Sequence, residues 1–481
     1  MSPTGGQHYV AIDIGAESGR VIVGVVGDDG VALDEVHRFP NTPVRTPDGL
    51  HWDILRLYGE VLAGIRAATT RYGRDLAGIG VDSWAVDYGL LDARGRLLGN
   101  PYHYRDHRTD GVREEAARLV PAAELYARTG IAQLPFNTLY QLMAQRRDGD
   151  ATLDAAASLL MIPDLLHYWL SGEIAAEQTN ASTTGALGID GDWTADLLRR
   201  LDVPEQVFLN PTPPATVLGS PRAAVRDECG LGSVTRVTLP ASHDTASAVV
   251  AVPMGQGDGA THAYISSGTW SLLGIELDRP VVSDEARLAG FTNEGGAGGT
   301  YRFLTNIMGL WIVQECRRAW ARRGQDWNYE DLTARAAAVA PNGILIDVDD
   351  PSFLHPDDMP AALQAHLRAS GQGPVEDPVL LVRAVLEGLA RSYRRGVEGI
   401  EQLAGVRVET IHVVGGGARN GLLCQLTADA CGRPVVVGPA EATALGNVLV
   451  QAIGAGQLRD LREARALSRM ATGIRTYHPR P

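Results

Sequence analysis

The sequence predicts an α/β protein of two domains, each built on the order strand, strand, strand, helix, strand. The chain has 481 residues, more than one hydrophobic core usually organises. Its apolar fraction of 45% suits ordinary globular cores. A strand-turn-strand plan occurs twice, as YVAIDIGAESGRVIVGVV from Tyr9 to Val26 and as AYISSGTWSLLGIEL from Ala263 to Leu277, each with glycine and a hydroxyl at the bend. The two domains are expected over residues 1–240 and 241–481.

The first half opens on strands Val10 to Ile14, Arg20 to Val26 and Val31 to Phe39, joined by short turns as an antiparallel meander. A helix follows from about Asp53, because Ile54, Leu57, Tyr58, Val61, Leu62 and Ile65 share one face and Gly73 stops it. LAGIGVDSW then reads as a strand that ends in a polar loop. The second half starts near VTLPASHDTASAVVAV and repeats the scheme. Its long helix begins at EDPVLLVRAV, with Asp377 as N-cap and Pro378 in the first turn. The apolar stripe of that helix runs Val382, Val385, Leu386, Leu389, Tyr393, Val397, Ile400 and Leu403, and Gly405 closes it. TIHVV is a strand leading into GGGARN, a helix follows from Asn420 to Cys431, and RPVVVGP is the last strand. Proline-rich LNPTPPATVLGSPR reads as the connector toward the second half, and Arg279 to Gly290 and Asp347 to Pro374 as surface insertions.

Composition narrows the function. All 43 basic residues are arginine, since the sequence contains no lysine. That excludes the P-loop, the strand lysine of protein kinases and Schiff-base chemistry. A nucleotide must then be held by backbone amides, hydroxyls, arginine and metal. A formal net charge of −14 excludes a broad basic field for nucleic acid. Cys229, Cys316, Cys424 and Cys431 form no CxxC pair and read as small buried hydrophobes in a reducing compartment. No apolar run approaches the roughly 18 residues of a membrane span. MSPTGGQHYV has neither a basic start nor a cleavable apolar segment, so a cytoplasmic protein is expected.

The two bends, facing each other across a cleft, would converge on one ligand. In DIGAESGR, Gly15 and Gly19 allow close approach of an anion, and successive N–H groups with Ser18 form a nest for phosphate, to which Arg20 adds charge. Asp13 at the strand end suits Mg²⁺ held through water. The same residues equally suit a hairpin turn with a solvated aspartate. Gly268 and Thr269 in SSGTW offer a second amide and hydroxyl, or a plain turn. Gly415, Gly416 and Gly417 allow a ligand to approach the backbone, and EATALGN is a helix that either joins that site or only packs. In ASHDTASAVVA, Asp244 between His243 and Thr245 is the best general-base candidate, positioned against a sugar hydroxyl; a helix N-cap is its alternative role. Trp84 and Asp87 of DSWAVDYG could grip a polyol or anchor a loop, and YRDHR reads as an internal salt-bridge cluster.

Taken in order, DIGAESGR, DSWAVDYG, YRDHRT, LPFNTLYQL, TNASTT, SHDTASAV, SSGTWSL, TNEGG, NIMGLW, VGGGARN and EATALGN resemble the motifs of the FGGY carbohydrate kinases, from about Tyr9 to about Gly454. The resemblance implies the actin and hexokinase type of fold, two RNase H-like domains with an interdomain cleft for ATP and sugar. Within the family it implies phosphorylation of L-rhamnulose at its 1-hydroxyl with ATP and Mg²⁺, with a fuculose, xylulose or ribulose type of ketose as the alternative. It places sugar and phosphate binding in the first domain and the nucleotide site in the second. It assigns Asp244 as proton acceptor, with Ala85, His243, Asp244, Thr245 and Asn306 on the sugar. Ala16, Glu17, Ser18, Gly19 and Arg20 match its phosphate loop, and Thr269, Gln314 and Gly416 its further nucleotide contacts. Ala85 stands where the resemblance implies glycine, which bears on sugar preference. The implied partners are a small ketose and ATP, with neither nucleic acid nor membrane, for a monomer or homodimer.

Two rival classes are weighed beside this. A metal-dependent nuclease shares the βββαβ core and would use Asp13, Asp82 and a further carboxylate for two Mg²⁺ ions, but the acidic charge opposes it. A sugar or nucleotide sensor on the same fold is opposed by the presence of the base candidate.

Overall fold

The computed structural model describes residues 6–254, 262–341, 343–354, 356–470 and 474–480, so most of the MSPTGG start lies outside them. The chain forms two compact units that interleave in sequence: Met1–Pro253, Leu277–Phe303 and Ala442–Ala471 make the first, and Met254–Glu276, Leu304–Glu441 and Thr472–Pro481 the second. Packing therefore does not follow a single cut at 240/241.

The first unit is built on a sheet ordered Val217–Gly219, Arg236–Thr238, Gly78–Ser83, Gln7–Ile14, Ser18–Gly27, Gly30–Pro40. The opening meander is antiparallel, and Gln7–Ile14 runs parallel to Gly78–Ser83. The expected helix spans Ile54–Tyr72, with the Asp53 carboxylate accepting from Arg56 N and Gly73 ending it. It buries Leu57, Val61 and Ile65 against Ile12, Val21, Ile79 and Val81. The strands are apolar on both faces because a second helix, Ala442–Gly454, also packs on this sheet. That helix in turn crosses the short helix Asp244–Val250 so closely that a Cβ on Gly446 would lie 1.7 Å from Ser247 O. A satellite core around Leu90, Leu139, Leu142, Leu159 and Leu197 fills a lobe of the same unit. The proline-rich stretch is not a connector. Its Val217–Gly219 pairs antiparallel with Arg236–Thr238, because an edge strand tolerates the missing donors of nearby prolines.

The second unit repeats the plan with its own residues. His262–Ser267 and Trp270–Leu277 form the second hairpin, and Thr410–Val414 runs parallel to the first of these strands. Pro378–Ala404 is the long helix, with Asp377 capping Val379 N and Gly405 at φ 66 ending it. Its stripe is buried from Val382 to Ile400, whereas Leu403 is half-exposed in the last turn. Two expectations change here. RPVVVGP is not the final strand, since Arg475–Tyr477 pairs antiparallel with Val435–Val437. Asp347 to Pro374 is not a plain surface insertion, since its helix Met359–Ala369 buries Met359, Leu363 and Leu367. Arg279 to Gly290 carries a short helix, Asp284–Leu288, with Leu288 exposed.

Candidate active site

In the first unit, the polar ends of three chain segments meet at one sheet edge. The bend of the first hairpin closes through Gly15 N donating to Ser18 O at 3.0 Å. Asp13 ends its strand in register with Asp82 of the neighbouring parallel strand. Ser83 N donates to Ser242 O at 2.9 Å, which brings the Ala85 loop beside His243 and Asp244. Ala16, Glu17, Ser18 and Arg20 are half-buried around the bend and Gly19 is buried, on the strand Ser18–Gly27.

Charge at this edge is arranged rather than diluted by solvent. Arg20 Nη2 donates to Asp13 Oδ2 at 2.6 Å, so the arginine expected to face phosphate also neutralises the aspartate beneath the bend. Asp82 is fully buried and accepts from Asn447 Nδ2 at 2.5 Å through Oδ2, while its Oδ1 has no hydrogen-bond partner among the described residues. Burial pushes the Asp82 carboxyl well above its ordinary range, and the charges of Asp13 and Asp244 add to that against the pull of Asn447 and Arg20. Among the described residues, no group of three or more His, Cys, Asp or Glu is arranged to hold a metal ion.

Asp244 begins the helix Asp244–Val250, so it is not the N-cap; His243 occupies that position. Its side chain is 32% exposed, whereas that of His243 is 6% exposed. Among the described residues, the protein donors converge on one oxygen: Thr245 N at 2.5 Å and Thr245 Oγ1 at 3.1 Å reach Oδ1, and His243 Nε2 stands 3.4 Å from it. Oδ2 is left for another donor. The segment is held from behind by the buried Glu177, whose Oε2 accepts from Ser242 N at 3.0 Å and Ser242 Oγ at 2.8 Å. Thr179 Oγ1 accepts from His243 N at 3.3 Å.

The loop after Gly78–Ser83 departs from expectation. Asp87 has no exposure and cannot grip a ligand: Trp52 Nε1 at 2.6 Å, Trp84 Nε1 at 3.0 Å and Tyr104 N at 3.1 Å all donate to Oδ2, and Gln141 Nε2 donates to Oδ1 at 2.8 Å. Trp84, which the sequence offers to a polyol, and Trp52 both spend their indole donors on this carboxylate, with their rings tilted against each other at 4.1 Å between centroids. YRDHR is held less by internal ion pairs than by neutral partners, with Arg108 donating to Gln141 and lying 4.0 Å over the Tyr102 ring. Ala85 is half-buried and does not have positive φ; the left-handed residue is Val86 at φ 70. A methyl at position 85 therefore carries no backbone strain, and the strained, β-branched residue is its neighbour.

Asp87 makes a pH prediction. Burial pushes its carboxyl up to about 6, partly offset by the indole and amide donors. A raised acid adds stability below its unfolded value of 3.8 and loses that contribution as pH rises through about 6. Relative to Asp87→Asn, the native protein is expected to lose on the order of 3 kcal/mol between pH 4 and pH 7. Urea unfolding of both proteins across that range measures the difference, and a constant gap would contradict it.

In the second unit, the other site candidates gather at one end of its sheet. Gly268 O accepts from Leu310 N at 3.0 Å and Thr269 O from Trp311 N at 3.2 Å. The SSGTW bend is thereby tied to the helix Trp311–Arg322, whose first turn carries Gln314. The side-chain oxygen of Gln314 accepts from Arg317 Nη1 at 2.7 Å. Asn306 lies half-buried on the strand Tyr301–Met308. Gly416 follows the strand Thr410–Val414, and its two neighbours are required by contact: a Cβ on Gly415 would lie 2.9 Å from Ser267 O and one on Gly417 2.0 Å from Ser267 Oγ. The third glycine run thus rests directly on the strand that feeds the second bend.

Family models settle the ancestry of both halves. The N-terminal domain of the FGGY family of carbohydrate kinases matches residues 8–251, and its C-terminal domain matches residues 263–455. The chain belongs to the FGGY carbohydrate kinases. This FGGY kinase is 40% identical over 474 residues to rhamnulokinase of Bacteroides thetaiotaomicron, covering 98% of this chain and 96% of the relative. It is 38% identical over 473 residues to rhamnulokinase of Bacillus subtilis, covering 98% and 95%. Among solved structures it resembles ligand-bound xylulose kinase from Lactobacillus acidophilus, with a TM-score of 0.79 at 18% identity over 99% of this chain and 94% of that one. Gluconate kinase from the same organism gives 0.80 at 17% identity over 99% and 94%. The FGGY kinase therefore has the two-domain α/β sugar-kinase fold.

Several residues at this kinase's site escaped the sequence reading. Glu177 lies on no recognised motif spacing, and Arg302 reads as an ordinary charged residue on a strand. Glu294 and Asn447 sit inside TNEGG and EATALGN, so their motifs were visible although their partners were not. No helix is long and apolar enough to cross a membrane among the described residues.

Proposed function

We propose that this carbohydrate kinase transfers the γ-phosphoryl group of ATP to the 1-hydroxyl of L-rhamnulose, giving L-rhamnulose 1-phosphate and ADP in the cytoplasm. The observation that carries the reading is Asp244, a partly exposed carboxylate whose Oδ1 takes the protein's donors while Oδ2 has none among the described residues, in a chain about 40% identical to rhamnulokinases over nearly its full length. Asp244 Oδ2 accepts the proton of the sugar's primary hydroxyl as that oxygen attacks the γ-phosphorus in line. One O–P bond forms, the bond to the β-phosphate oxygen breaks, and ADP leaves with the electron pair. The chain's contribution is mostly position: Thr245 and Glu177 hold the carboxylate's segment still, so the hydroxyl meets a fixed acceptor.

Ala85, His243, Thr245 and Asn306 are assigned to the sugar. Ala16 to Arg20 line the phosphates, and Thr269, Gln314 and Gly416 contact the nucleotide, so the phosphate loop falls in residues 1–240 and the nucleotide contacts in residues 241–481, while the sugar draws on both through Ala85 and through His243, Thr245 and Asn306. Asp13 would hold Mg²⁺ through water; a single carboxylate suits an ion that keeps most of its hydration shell. When bound, that ion neutralises phosphate charge. The test is a panel of ketoses with ATP and Mg²⁺, read as ADP formed. L-rhamnulose is expected to give the highest kcat/KM. A higher value for a fuculose, xylulose or ribulose type of ketose would replace the substrate assignment and leave the kinase chemistry standing.

A further inference from the structure

Arg302 is a guanidinium with no solvent exposure. Burying such a charge is costly unless partners compensate it, so what it touches is informative. Its Nε donates to Gly295 O at 2.9 Å. Its Nη2 lies 3.0 Å from His243 Nδ1 and 3.1 Å from Glu294 Oε2. Glu294, itself buried, stands 3.3 Å from the same imidazole nitrogen. Burial works to raise the Glu294 carboxyl, yet Arg302 and His243 together hold the group below its ordinary value.

A guanidinium can only donate. His243 Nδ1 also faces Glu294 Oε2, which would call for a proton on Nδ1, but only the Arg302 contact has hydrogen-bond geometry and Glu294 Oε2 makes no hydrogen bond among the described residues, so Nδ1 accepts from Arg302 and in a neutral imidazole the remaining proton is on Nε2. That nitrogen is the one 3.4 Å from Asp244 Oδ1. We propose that Arg302, balanced by Glu294, is a positioning residue that locks His243 as the Nε2–H tautomer, turning its N–H toward Asp244 Oδ1 and reserving Oδ2 for the sugar hydroxyl. The residues span His243 to Arg302 in sequence, and Arg302 and Glu294 reach the reacting atoms only through His243. The inference rests on the reading of Asp244 as the base for its catalytic consequence, and on geometry alone for the tautomer.

The test has two independent readouts. In ¹⁵N-histidine-labelled wild-type protein, the His243 signals, identified by their loss in His243→Gln, are expected to show an unprotonated Nδ1 and a protonated Nε2. A proton on Nδ1 overturns the proposal. Because Arg302→Met alone strands a buried carboxylate and can fail to fold, the second readout uses Glu294→Gln with Arg302→Met, which removes both charges together. This double variant is expected to keep its thermal midpoint within a few degrees, to populate both tautomers, and to lose kcat by about 10- to 100-fold with the KM for ATP little changed. Arg302→Lys, which restores a cationic donor, should recover part of that loss. Wild-type kcat in a folded double variant overturns the positioning role. Normal turnover in Asp244→Asn would instead overturn the base assignment, and the wild-type tautomer would still decide whether Arg302 sets the imidazole.

Discussion

Purified Asp244→Asn is expected to keep nucleotide binding and to lose sugar phosphorylation by about 10²- to 10⁴-fold, the span that a positioned general base contributes. Asparagine preserves the size of the side chain and an acceptor for Thr245 N, so the helix Asp244–Val250 keeps its start. What it loses is an oxygen able to take up a proton. The effect should fall on kcat at saturating ATP and ketose, with nucleotide affinity measured separately by calorimetry. Near-wild-type kcat would remove Asp244 from the chemistry, whatever the sugar.

The second large effect lies away from any ligand. Gly446→Ala places a methyl where Ser247 O would be 1.7 Å away, Ser247 C 2.6 Å and Ser247 Cα 3.1 Å. These are backbone atoms, so no rotamer change relieves the clash and the two helices must separate. Overpacking usually costs about 1–3 kcal/mol, and a collision with main chain belongs at or above the top of that range. Ser247 shares the short helix with Asp244, so the displacement also moves the carboxylate, and activity should fall together with the thermal midpoint. Gly59→Ala is the matched control. Gly59 lies within the helix Ile54–Tyr72 with nothing near its missing Cβ, and alanine there should stabilise by about 0.5–1 kcal/mol. Equal stability of the two variants would show that the helix crossing at Gly446 is not as close as described.

Much of the framework could be read before any coordinates. The hairpin Tyr9 to Val26, the helix after Asp53 and the helix from Pro378 to Gly405 were legible because their causes are local: alternation, 3.6-residue periodicity, a capping carboxylate, a left-handed glycine. The edge strand Val217–Gly219 was misread as a connector because proline content says where hydrogen bonds are missing and nothing of which strand lies alongside. Arg475–Tyr477 was missed for a related reason, since a three-residue strand has too few positions to show a period and exists through its pairing.

The sequence by itself determined the class of chemistry: a chain without lysine, with two glycine-hydroxyl bends and SHDTASAV, must handle phosphate through amides and arginine and has one well-placed carboxylate to offer as a base. Only the tertiary structure decided which carboxylates are free to act. Asp82 is fully buried, its carboxyl pushed up by desolvation and by Asp13, Asp87 is consumed by two indoles, and of the three only Asp244 is partly exposed, with its protein donors gathered on Oδ1. Letters in a row report residue type and spacing, whereas the availability of a charge depends on desolvation and on partners such as Asn447, 365 positions away, which meet the group only after the chain has folded.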